Sequence, residues 1–155
     1  MAEVSFYHLT AMPLEAALPV MLQRSLERGW RVELRLGDPG VLEALDERLW
    51  TFRDDSFLPH GRPGEGLDDR QPILLTLDRD PAQADRAALF LAAGAPLDPD
   101  EAAARTRTAL LFDGHDEAAV AAARTAWRTT VAAGLKAAYW AQDAKRWTKK
   151  AESDG

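Results

Sequence analysis

A chain of 155 residues, 46% hydrophobic and 28% charged, has the size and composition of one soluble globular domain, long enough to bury a core without covalent staples. With no cysteine, disulfides, thiolate nucleophiles and zinc–thiolate sites are excluded, and no stretch approaches the roughly 18–20 apolar residues of a membrane span. The net charge of −6 is unevenly spread: residues 1–117 hold 12 basic against 22 acidic side chains, whereas residues 118–150 hold seven basic ones and the single acid Asp143, so an acidic body that repels a phosphate backbone is joined to a basic segment suited to an acidic peptide or a short run of phosphates.

In chain order, Val4 to Leu9 is rich in aromatic and branched residues and predicts a strand; nothing before it has the basic start of a signal peptide, so the chain is expected in the cytoplasm. Pro13 opens a helix in which Leu14, Leu18, Met21, Leu22 and Leu26 recur at helical spacing, with Pro19 as a potential kink and Gly29 as the C-terminal cap. Trp30 to Leu36 alternates like a strand, and "GDPGVLEALDERLW" reads as a turn and a second helix. The run that follows, "LWTFRDDSFLPHG", is unusually apolar for a connection, since connecting segments are ordinarily polar and superficial.

Gln71 to Leu77, Ala87 to Gly94 and Thr106 to Gly114 are short apolar runs bounded by Pro, Gly and Asp, as expected of strands buried on both faces. A last helix is predicted from Glu117 to about Ala133, ended by Gly134 and followed by a Trp-rich basic tail. Alternating strands and helices imply an α/β fold, a single three-layer domain over residues 1–150 with a mostly parallel central sheet flanked by helices, and a flexible tail over 151–155.

The chemical motifs are few. "GRPGEG" (Gly61 to Gly66) lacks the Gly-Lys-Ser/Thr ending of a phosphate loop and reads as a turn-rich connection. Asp113, His115, Asp116 and Glu117 at a strand end have the chemistry of a hard-metal or acid–base cluster, but N-capping of the following helix is the simpler use. His8 and His60 are isolated, no Gly-x-Ser-x-Gly elbow is present, and neither a cofactor nor a metal is expected. On the last helix Arg124 and Arg128, four residues apart, share a face beside Trp127, a pattern suited to gripping carboxylates against an aromatic wall.

The ordered set Leu49, Trp50, Ser56, Phe57, Pro59, His60, Gly64, Glu65 and Gly66, with the "FYHL" start, "PILLT", and "RTAWRTTVAAG" before a Trp-containing basic tail, resembles the chi subunit of bacterial DNA polymerase III holoenzyme. The resemblance spans nearly the whole chain. It implies a non-catalytic accessory subunit of the clamp-loader complex that joins the psi subunit to single-stranded-DNA-binding protein (SSB) during DNA replication. It further implies that Arg124, Trp127 and Arg128 hold the acidic, Phe-terminated SSB tail, that Trp50, Phe57, Pro59 and His60 face psi or an alternative helicase partner, and that DNA is met only indirectly. The alternative from the residues alone is a small α/β nucleotide- or nucleic-acid-binding enzyme using "GRPGEG" or "DGHDE".

Overall fold

The computed structural model describes residues 2–50, 60–62, 71–79, 81–143 and 146–153, without the side chains of Trp50, Pro81, Asp143 and Arg146. The strands are β1 (Glu3–Leu9), β2 (Val32–Leu36), β3 (His60–Gly61), β4 (Ile73–Thr76), β5 (Ala88–Ala92), β6 (Arg107–Asp113), β7 (Lys136–Asp143) and β8 (Arg146–Ser153). The helices are α1 (Leu14–Glu27), α2 (Pro39–Trp50), α3 (Pro99–Ala103) and α4 (Glu117–Ala132). One eight-stranded sheet has the order β3-β4-β2-β5-β6-β1-β7-β8, parallel except for the antiparallel β7/β8 pair. This is the expected α/β architecture.

Strand alternation assigns the layers. Leu34, Leu36, Leu75, Phe90 and Leu111 join Leu18, Leu22 and Leu45 in the core under α1 and α2, while Val4, Phe6, Phe112 and Ala137 face α4 with Ala123 and Trp127. Gly29 and Gly134, at φ of +82° and +79°, end α1 and α4 in the left-handed conformation that glycine adopts without a Cβ clash. Pro19 lies inside α1 without ending it. A proline there removes the hydrogen bond to the carbonyl four residues back, and that acceptor, the Glu15 carbonyl, takes a bond from Arg48 Nε of α2 at 3.4 Å.

Three features depart from the sequence expectation. The alternation of β2 suggests one wet face, yet Glu33 and Arg35 are as buried as their apolar neighbours. Short α3 has no apolar periodicity and is fixed by Asp98, whose carboxylate accepts from Asp100 N. The Trp-rich tail forms β7 and β8, with Ala151, Glu152 and Ser153 pairing with Tyr139, Ala138 and Ala137, so regular strand pairing extends into the segment expected to be a flexible tail. Isolated propensity misses such a pair because a hairpin's stability comes from the sheet it extends.

Candidate functional site

Helix α4 begins at Asp116, whose carboxylate accepts from the backbone N–H of Ala118 and Ala119 at 3.0 and 3.3 Å. Asp113 accepts from His115 N, and the His115 ring binds the Thr10 carbonyl at 2.9 Å. The "DGHDE" cluster is thus a cap and a tie to the end of β1, and among the described residues no group of three His, Cys, Asp or Glu is placed to hold a metal ion.

Along α4, Ala123 and Thr130 point into the protein and Arg124 and Arg128 stand out of it. Their positions one turn apart set two guanidinium groups on one stripe. Among the described residues neither forms an ion pair, and Arg128 has a 3.4 Å contact with the Thr125 hydroxyl. Trp127 is turned inward and half buried, with its ring edge-on to Phe6 at 5.4 Å and to Tyr139 at 6.0 Å. The structure brings the three predicted residues together, with Trp127 serving as the rim of an aromatic cluster rather than a free-standing wall.

That cluster contains residues that sequence reading did not single out for binding. Tyr139 of β7 stacks on Phe6 and bonds His8 Nδ1 through its hydroxyl at 2.9 Å. Burial pushes the Tyr139 pKa above its ordinary value, and the nearby positive charge of Arg124 pulls against that shift. The hydroxyl therefore lies within the electrostatic reach of the guanidinium stripe. The signal for Tyr139 was its place on a strand beside β1, which is invisible until the tail is recognised as part of the sheet.

The second predicted group is only partly in view. The Trp50 side chain, Phe57 and Pro59 lie outside the described residues. His60 is 3% exposed and its Nε2 lies 2.6 Å from an Asp46 carboxylate oxygen, joining β3 to α2. Leu49, at the end of α2, is fully buried. Residues 51–59, between these two buried positions, lie outside the described residues. Most of "GRPGEG" also falls outside the described residues.

At the carboxyl ends of the parallel strands, the usual ligand edge of this architecture, a cavity of about 590 Å³ lies between α1 and α2. Its charged lining is Glu15, Asp38 and Glu47 against Arg48, a balance unfavourable to phosphate.

Residues 1–138 match the family model described as DNA polymerase III chi subunit, HolC. A curated relative, the DNA polymerase III subunit chi of Pseudomonas aeruginosa, is 32% identical over 84 residues, which is 52% of this chain. The matched stretch spans 58% of that relative's own length.

Proposed function

Because the chain belongs to the DNA polymerase III chi subunit family, we propose that it is a non-catalytic adaptor of the clamp-loader complex in the cytoplasm, binding the acidic C-terminal tail of SSB on α4 and the psi subunit, or an alternative helicase partner, through the segment after α2. The observation that carries the tail site is the pair Arg124 and Arg128, exposed and without ion-pair partners among the described residues, beside the half-buried Trp127. Guanidinium groups bind carboxylates bidentately. The Trp127–Tyr139 rim supplies apolar surface for a terminal phenylalanine ring. On the psi side, the support is family membership together with the apolar sequence of the segment that carries Trp50, Phe57 and Pro59.

Calorimetry with an SSB tail peptide tests the first half. Arg128→Ala is expected to cost about 1.5–3 kcal/mol, the scale of a hydrogen bond to a charged group, and Arg128→Glu more, through repulsion. Deleting the peptide's terminal Phe is expected to cost about as much, roughly 1.5–3 kcal/mol of buried surface. Wild-type affinity in both Arg124→Ala and Arg128→Ala would place the tail elsewhere. For the second half, Trp50→Ala with Phe57→Ala is expected to abolish co-purification with psi while leaving tail binding intact.

A further inference from the structure

On the face of the sheet opposite α4, a cavity of about 310 Å³ lies between the C-terminal half of α1 and strands β1, β6, β7 and β8. Three indoles, Trp30, Trp140 and Trp147, and three guanidinium groups, Arg24, Arg28 and Arg107, line it. Their placement follows from the fold. Trp140 shares the face of Ser5 and Tyr7 through the β1/β7 register, and Trp147 lies edge-on to Tyr7 at 5.1 Å. Trp30 follows the Gly29 turn, and its ring lies 5.1 Å from the Arg28 guanidinium and 5.8 Å from that of Arg107.

The acid in the lining is Glu3, 3.5 Å from Arg107. Arg24 and Arg28 stand one turn apart at the end of α1, exposed and without an ion-pair partner among the described residues. The three arginines of the pocket thus come from the part of the chain that is acidic overall. The floor carries a second signal. Ser5 is 1% exposed and lines the cavity, and its hydroxyl has no hydrogen-bond partner among the described residues. A buried hydroxyl without a partner is uncommon and costly.

We propose that this cavity binds a nucleotide unit, with the base against the indoles and the phosphate on Arg24 and Arg28. Stacking on aromatic side chains accepts any base, and paired guanidinium groups suit a phosphate dianion. A phenyl ring would fill the aromatic space as well, but it has no polar edge to offer Ser5, whereas every base does. The C-terminal end of a helix carries a negative partial charge. The attraction at the end of α1 therefore comes from the arginine side chains, which makes them the decisive residues. The site is separate from the α4 stripe and does not depend on the adaptor reading.

The test follows the five indole N–H resonances of the full chain during titration with deoxyadenosine monophosphate, deoxythymidine monophosphate, inorganic phosphate, a short oligothymidylate and the SSB tail peptide. Saturable shifts of Trp30, Trp140 and Trp147, with Trp127 unmoved, are expected for both mononucleotides, larger and tighter for the purine. Inorganic phosphate is expected to reproduce them poorly. Arg24→Ala with Arg28→Ala is expected to weaken mononucleotide binding by about tenfold or more, about 1.4 kcal/mol or more, while tail-peptide affinity stays unchanged. An oligothymidylate that binds more tightly than the monomer assigns the ligand to a DNA strand, and the reverse assigns it to the free nucleotide pool. The proposal is overturned if the mononucleotides give no saturable shift, if phosphate alone produces the same shifts, if the arginine double variant binds them like wild type, or if the tail peptide rather than a nucleotide occupies the pocket.

Discussion

Glu33 is fully buried, and its carboxylate accepts from Arg35 at 2.9 and 3.1 Å, from Arg105 at 2.8 Å and from the Thr76 hydroxyl at 2.8 Å. Glu33→Ala leaves the buried guanidinium groups of Arg35 and Arg105 with Glu101 as their remaining carboxylate, and loss of one partner of a buried ion pair costs about 3–5 kcal/mol. Urea unfolding is expected to show a loss of that size, and a loss under about 1 kcal/mol would mean that the network relaxes around the gap. Tyr139 offers a second single-residue check. The Arg124 charge favours tyrosinate, so Arg124→Ala is expected to push the Tyr139 pKa further above its ordinary value, read from tyrosinate absorbance. An unchanged titration would separate Arg124 from the aromatic cluster.

Helix α3 places Glu101 against Arg35, whose guanidinium donates to both carboxylate oxygens at 2.7 and 2.8 Å. These bonds, with the charges of Arg35, Arg79 and Arg105, hold the Glu101 pKa below its ordinary carboxylate value despite burial. A carboxylate whose pKa is lower folded than unfolded contributes stability that is fully present above the unfolded pKa of about 4.3 and is lost as pH falls through the folded value. Stability is therefore expected to fall with acid below about pH 5, and Glu101→Gln is expected to be less stable at pH 7 with a flatter acid limb. Strand β7 has a comparable duty through Gln142, whose Oε1 accepts from the backbone N–H groups of Thr10, Ala11 and Met12 at 2.9, 2.9 and 3.0 Å. One side chain of β7 thereby fixes the β1–α1 connection. Gln142→Leu is expected to loosen it, raising amide hydrogen exchange at residues 10–12 while the β2–β5 core stays protected.

At the scale of the whole molecule, charge is organised more finely than by chain segment. The basic stripe of α4 and the cavity under α1 lie on opposite faces of the sheet, and the remaining surface draws on a chain whose first 117 residues carry a net −10. Such a body opposes a long phosphate backbone. Single-stranded DNA is expected to bind weakly and to be released by modest salt, since only a few phosphates can be neutralised at once. Tight binding at physiological salt without SSB would contradict this charge layout, whereas occupancy of a one-nucleotide pocket is compatible with it.

The periodicity of the apolar residues, Gly29 and Gly134 after the helices, Asp116 before α4 and the bounded apolar strands were legible in the sequence, because each is a local rule satisfied within a few residues. Arg124 and Arg128 were legible for the same reason, since their common face follows from helical spacing alone. The buried Glu33–Arg35–Glu101–Arg105 network was not, because the partners are up to 72 residues apart and a polar alternation looks the same whether its face meets water or another ion. Nor were β7 and β8, which exist as the edge of a sheet that β1 begins. Only their pairing brings Tyr139 to the α4 stripe and Trp140 and Trp147 to the cavity beneath α1. Local spacing determined which elements form, and long-range pairing decided which side chains share a site, because only the closed sheet sets the distances between them.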